Sequence, residues 1–113
     1  MSNPLESAVK KQICDFLNTL PDQDIMFWIN ESVGIYDPRR KIFLKKRSRY
    51  QRKGVADLLG IYRGKPFACE IKRPGSYHVS PEQKAFIEEF NRKGGIAFIA
   101  KSIEDVKKGL GIE

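Results

Sequence analysis

The sequence predicts a small α/β protein with a central mixed β-sheet flanked by helices, in the order α-β-β-β-α-β-α. Two features point that way. Helical apolar stripes open and close the chain and recur after residue 80, while short runs rich in β-branched and aromatic residues lie between them. The strand–helix–strand run from Phe67 to Ala100 then calls for parallel pairing through a right-handed crossover.

The first helix is expected from Pro4 to Leu20, where Leu5, Val9, Ile13, Phe16, Leu17 and Leu20 form one stripe and Pro21-Asp22 stop it. Ile25 to Asn30 reads as a strand. A turn-prone stretch through Gly34 and Asp37-Pro38 follows, and Lys41 to Leu44 makes a short strand. Val55–Tyr62 and Phe67–Lys72 form a hairpin, with Gly64 in the turn available for positive φ. Ser80-Pro81-Glu82-Gln83 carries a cap, a proline at the first helical position and the reciprocal arm of a capping box. The helix it starts buries Phe86, Ile87 and Phe90 and ends at Gly94-Gly95. Ile96 to Ala100 is wholly apolar, as in a strand buried on both faces. A short helix from Ser102 to Leu110 closes the order. At 113 residues, one domain over 1–113 accounts for the chain.

Composition excludes several classes. The chain has a 41% hydrophobic fraction, enough for a core, and no apolar run long enough for a membrane span. The N-terminus lacks the basic and apolar regions of a secretory leader. Cys14 and Cys69 are too few for a disulfide scaffold and have no zinc-like spacing, and His78 is the one histidine. A soluble, cytoplasmic protein with no membrane partner is expected.

Charge is concentrated. Of 21 Lys and Arg, nine lie between Pro38 and Ala56 with no acid among them: Arg39, Arg40, Lys41, Lys45, Lys46, Arg47, Arg49, Arg52 and Lys53. The remaining 12 face 14 acids, so the whole net charge of +7 belongs to that segment. Such a block, interleaved with Phe43 and Tyr50, suits a polyanion, nucleic acid above all. A solvated basic loop is the plainer alternative.

Four polar residues break the binary pattern toward the interior. Asp57 sits among apolar neighbours in a strand candidate, where a lone carboxylate is costly unless backbone donors, an Arg or another cation offset it. Strand alternation puts Glu70 and Lys72 on one face, with Phe67, Cys69 and Ile71 on the other. If Arg63-Gly64 forms a two-residue turn, Tyr62 faces Lys65 and Asp57 falls opposite Glu70; a three-residue loop would separate them. Facing like charges are destabilising. Either Lys72 neutralises both acids, or a divalent cation sits between two convergent carboxylates. At about 100° per residue, Glu6 falls inside the apolar stripe of the first helix, as an inward-facing acid or a favourable N-terminal charge. Gln83 shares spacing with Phe86, Ile87 and Phe90, so its face is the buried one. Capping-box arm and site residue are both open to it.

In this assembly the chain resembles the virus-type replication-repair nuclease (VRR-NUC) family of the PD-(D/E)xK nuclease superfamily. The likeness rests on Glu6, on Gly54-Val55-Ala56-Asp57-Leu58-Leu59-Gly60, on Glu70-Ile71-Lys72-Arg73 and on Ser80-Pro81-Glu82-Gln83; Ala56 stands where the superfamily name places Pro. The resemblance implies a restriction-endonuclease-like fold and a metal-dependent endonuclease acting on DNA phosphodiesters. Asp57 and Glu70, with Glu6 as accessory acid, would ligate Mg²⁺ or Mn²⁺. Lys72 would position or activate water, and Gln83 would complete the catalytic set. It also implies a homodimer on branched, flap or Holliday-junction DNA in replication and repair. Arg73 would extend the DNA-binding line begun by the basic segment. Two other readings share the charge: a DNA-structure-binding module with catalysis lost, and a basic RNA-binding protein.

Overall fold

The computed structural model describes residues 5–31, 35–44 and 49–113. In chain order the elements are α1 (Glu6–Leu17), β1 (Ile25–Ile29), β2 (Ile35–Asp37), β3 (Ile42–Leu44), β4 (Leu58–Tyr62), β5 (Lys65–Ile71), α2 (Pro81–Arg92), β6 (Ile96–Ala100) and α3 (Ile103–Leu110). A four-stranded mixed sheet in the order β1-β4-β5-β6 carries the fold, with a separate β2-β3 hairpin. Taken through the main sheet, the order is the expected α-β-β-β-α-β-α. Among the described residues no helix is long and apolar enough to cross a membrane.

The β4-β5 hairpin sets the register. Arg63 (φ 48°) and Gly64 (φ 83°) both have positive φ, the backbone of a two-residue primed turn. Tyr62 therefore faces Lys65, and the ladder runs to Leu58 opposite Cys69. Arg63 tolerates the left-handed conformation with its guanidinium 3.4 Å from the Asp24 carboxylate. β5 then pairs with β6 in parallel, from Phe67 beside Ile96 to Ile71 beside Ala100.

The two faces of the sheet are covered differently. On one, Val9, Ile13 and Leu17 of α1 and Val106 and Leu110 of α3 pack with Leu58, Phe67, Cys69 and Ile71. On the other, Phe86 of α2, flanked by Ile87 and Phe90, packs on Ala56, Ala68 and Ala97. The Asn91 side chain ties the end of α2 to β6, accepting from Ala97 N at 2.7 Å and donating to Ala97 O at 2.9 Å.

Several boundaries differ from the sequence reading. α1 ends at Leu17, because Thr19 N and Leu20 N turn back to Phe16 O and Leu17 O in a tightened last turn before Pro21. Ile35–Asp37 is a strand where the sequence carries only turn signals; it pairs with β3 as one arm of a small hairpin. β6 is an edge strand with Ile96, Phe98 and Ile99 half-buried, and the strand buried on both faces is the central β5. An apolar run reports the helices covering a strand, not its place in the sheet. The Val55–Tyr62 run becomes regular strand only at Leu58, since Gly54 (φ 82°) turns the chain just before it.

Candidate active site

Asp57 lies one residue ahead of β4. Its carbonyl accepts from Asn30 N at 2.8 Å, which extends the β1-β4 pairing by one step. Its carboxylate Oδ2 accepts from Ile71 N at 2.9 Å, so a side chain replaces the backbone partner that the ended ladder no longer offers. The half-buried Asp57 is thus fixed on both sides at the end of the central strands.

Glu70 is the buried charged residue of the sheet, 3% exposed. It projects toward α2, where Gln83 Nε2 donates to its Oε1 at 2.9 Å. Lys72 Nζ stands 3.6 Å from the same oxygen. Burial first, then the neighbouring Asp57 carboxylate through its charge and a hydrogen bond, push the Glu70 carboxyl up to about 7. Lys72 pulls the other way and does not offset them. Among the described residues no ion pair joins Lys72 to Asp57, so Lys72 serves one acid rather than both.

Gln83 is the arm of the capping box, and its amide also contacts Glu70 and Lys72. Ser80 Oγ accepts from Gln83 N at 3.1 Å while Gln83 Oε1 accepts from Ser80 N at 3.0 Å, closing the capping box of α2. The same Oε1 accepts from Lys72 Nζ at 3.2 Å. One amide therefore caps the helix, holds the lysine and donates to Glu70.

Gly54 opens the Gly54–Gly60 motif, but its physical role appears only in the structure. A β-carbon there would lie 2.5 Å from Glu82 O and 2.6 Å from Gln83 N. The bare backbone lets the first turn of α2 dock against the segment leading to Asp57. The sequence signal was a glycine three residues before an interior acid, which marks a close approach as well as a turn.

Glu6 meets the second of its two readings, the acid at a helix N-terminus, and not the inward-facing one. It opens α1 and is exposed, as are Leu5, Ser7 and Ala8; burial on this helix starts at Val9. The helical angle gave its face correctly, but burial also depends on position along the axis, and the first turn is uncovered. Among the described residues no three His, Cys, Asp or Glu side chains cluster closely enough to hold a metal ion. The structure therefore does not bring Glu6 to Asp57 and Glu70.

Of the basic residues, Arg39, Arg40 and Lys41 are exposed at the β2-β3 turn, where Arg39 N donates to Asp37 Oδ1 at 3.0 Å. Lys45, Lys46 and Arg47 lie outside the described residues. Arg49 and Lys53 are exposed, with the Arg49 guanidinium 5.3 Å from the centre of the Tyr50 ring. Arg52 is engaged with α2, 2.9 Å from Glu89 and over the Phe86 ring. Arg73 is exposed directly after Lys72.

A solved structure described as a "VRR_NUC domain protein" superposes on this chain with a TM-score of 0.62, covering 95% of this chain and 85% of the other. This chain has the VRR_NUC fold. The two sequences are 20% identical over that match, and neither a family model nor a curated protein sequence matches the chain. Across so distant a likeness the VRR_NUC fold is shared, while the chemistry rests on this chain's own side chains. Those place two carboxylates, one ammonium and one amide together at the end of the central strands.

Two adjacent carboxylates are hard oxygen donors, and Glu70 holds its proton above the ordinary carboxylate range because burial first, and then the Asp57 carboxylate, raise it more than Lys72 lowers it. The pair suits Mg²⁺ or Mn²⁺, since Mg²⁺ is commonly held by one or two carboxylates with water and substrate phosphate completing its shell. It does not suit a closed all-protein cage, given that no third ligand stands beside it among the described residues.

Proposed function

We propose that this protein is a Mg²⁺- or Mn²⁺-dependent endonuclease that hydrolyses DNA phosphodiester bonds. The observation that carries the proposal is the meeting of Asp57 and buried Glu70 with Lys72 and Gln83 on one side of the sheet. Asp57 and Glu70 would hold the cation. When bound, it supplies Lewis acidity toward the phosphodiester and toward water.

The rest of the work falls to the chain. Lys72, steadied by Gln83 Oε1, presents positive charge and a hydrogen-bond donor beside the carboxylates, where it can orient water or meet charge developing on the phosphate. Gln83 fixes Lys72 and Glu70 at once, so the geometry is set before substrate arrives. The basic hairpin and Arg73 would neutralise flanking phosphates, making affinity fall steeply with salt. Glu6 would act from the exposed first turn of α1. Branched or flap DNA and a homodimer remain part of this reading: two symmetric copies of so small a domain present two sites to the two backbones of a junction.

The test is cleavage of single-stranded, duplex, flap and four-way DNA with Mg²⁺ or Mn²⁺. Cutting in either metal and silence in EDTA are expected. Cutting that persists unchanged in chelator, or none on any substrate with either metal, overturns the proposal.

A further inference from the structure

The side of the sheet that carries Asp57 and Glu70 is only half covered. α2 lies over Ala68 and Ala97 and reaches Leu59 of β4, but its packing does not extend to β1. In the β1-β4 ladder Trp28 faces Leu59 and Met26 faces Ile61. Residues opposite one another in an antiparallel pair project to the same side. Trp28 and Met26 therefore share the side of Asp57, Glu70 and Lys72, while Ile25, Phe27 and Ile29 turn to the α1 core.

The step from Asn30 N to Asp57 O makes Trp28 the diagonal neighbour of Asp57. Diagonal neighbours lie about 7–8 Å apart, their β-carbons somewhat closer. The indole is 46% exposed, and Met26 and Ile61 beside it are exposed as well. Among the described residues it has no ring, cation–π or ion-pair partner, unlike Tyr50, Tyr62, Phe86 and Tyr77, each of which has a cation over its ring. A flat aromatic surface thus lies open one side chain away from the carboxylate pair, on a chain with net charge +7.

We propose that Trp28 is a stacking platform for an unpaired base next to the phosphodiester held at Asp57 and Glu70. An open aromatic ring joined to positive charge is how single-stranded nucleic acid is commonly bound, because every base has a face to stack and every phosphate a charge to meet. A fully paired duplex keeps its base faces inside the stack and cannot use the indole. The preferred substrate therefore exposes unpaired nucleotides beside the cut, as in a flap or gap. This rests on the nuclease reading for the position of the phosphate; the stacking itself does not.

Trp28 is the one tryptophan in the chain, so its emission reports on this site alone. Wild-type protein in EDTA is titrated with a gapped duplex exposing unpaired thymidines and with a fully paired duplex of the same length. Occupancy is followed by anisotropy of a fluorescein on the DNA. Saturable quenching by the gapped duplex, and much weaker quenching by the paired one at equal occupancy, is expected. Trp28→Ala should weaken binding of the gapped duplex about 5- to 100-fold, and Trp28→Phe should restore most of it. Equal occupancy without a change in emission overturns the proposal, as does Trp28→Ala binding the gapped duplex like wild type. So does emission that shifts with protein concentration in the absence of DNA, which places a second copy of the chain on this face. Cleavage with Mg²⁺ by the same preparation is scored separately, so the stacking and the nuclease reading can fail independently.

Discussion

The two sides of β5 differ in what their neighbours ask of them. Phe67, Cys69 and Ile71 are fully buried against α1 and α3, and burial pushes the Cys69 thiol well up, so it acts as a small apolar residue. Ala68 and Glu70 face α2, with Lys72 just past the strand end; Ala68 packs under Phe86, while the contacts of Glu70 are hydrogen bonds and charge. One side is closed by volume, the other by a helix start whose capping glutamine also contacts Glu70 and Lys72. The comparison shows how one strand separates stability from chemistry: alternation sends successive side chains to different tasks.

The sharpest way to break the comparison is to neutralise the polar side. Asp57→Asn and Glu70→Gln are each expected to reduce cleavage by at least about 100-fold, the scale of losing a group that acts on the transition state. Thermal melting should be unchanged or raised, because a buried like-charge contact is removed. Cleavage at wild-type rate in either variant would falsify the assignment of the pair.

Ile71→Ala addresses the apolar side. The Ile71 side chain is fully buried in the core, while its N–H donates to Asp57 on behalf of the site. Removing the side chain should cost about 2–5 kcal/mol, lowering the melting temperature by roughly 10 °C or more. The backbone donor survives the substitution, so cleavage per folded molecule should stay within a few-fold of wild type. Chemical denaturation and single-turnover cleavage below the melting range check both halves. A collapse of activity without loss of stability would show that the two sides are not separable.

Much of this division is legible in the sequence. A two-residue turn at Arg63-Gly64 sets the register, and the register brings Asp57 and Glu70 to one side. Strand alternation gives the faces of β5, the Ser80–Gln83 spacing gives the capping box, and the spacing of Gln83 with Phe86, Ile87 and Phe90 gives the face it shares. What sequence does not carry is extent: how far α1 is covered, which strand is central, or that Ile35–Asp37 finds a pairing partner. These depend on where distant elements stop. Glu6 shows the limit most clearly, since its angle on the helix leaves an inward acid and an exposed N-terminal charge open, and only its exposure decides for the second.

Gly54 and Gly64 give a smaller and more specific test of how α2 seats on the polar side. Both have positive φ, 82° and 83°, but a β-carbon at Gly54 meets the backbone of Glu82 and Gln83 whereas one at Gly64 meets nothing within 4 Å. Gly64→Ala should show only the left-handed strain, about 1–2 kcal/mol. Gly54→Ala should show that strain and also displace the start of α2, loosening Gln83 from Glu70 and Lys72. The expected signature is a shared loss of melting temperature with cleavage impaired in Gly54→Ala alone. Equal activity in the two variants would mean that the docking of α2 does not set the site.

The smallest expected effect is on pH dependence in the metal-free protein, and its sign follows from Glu70. The carboxyl rises from an ordinary 4.5 to about 7 on folding, so the folded chain holds this proton more tightly than the unfolded chain. Its contribution to stability is fully present below about 4.5 and is lost as pH rises through about 7. Burial raises the carboxyl most, Asp57 raises it further and Lys72 lowers it, while Gln83 donates a hydrogen bond to Glu70 Oε1. Melting of wild type and Glu70→Gln in EDTA between pH 4 and pH 8 isolates the contribution, since every other titrating group is common to both. The wild type should lose stability relative to the variant as pH rises across that window. A difference that stays flat, or that grows in favour of wild type, would mean that Glu70 is ionised without cost and that the polar side of β5 holds no charge in want of a counterion.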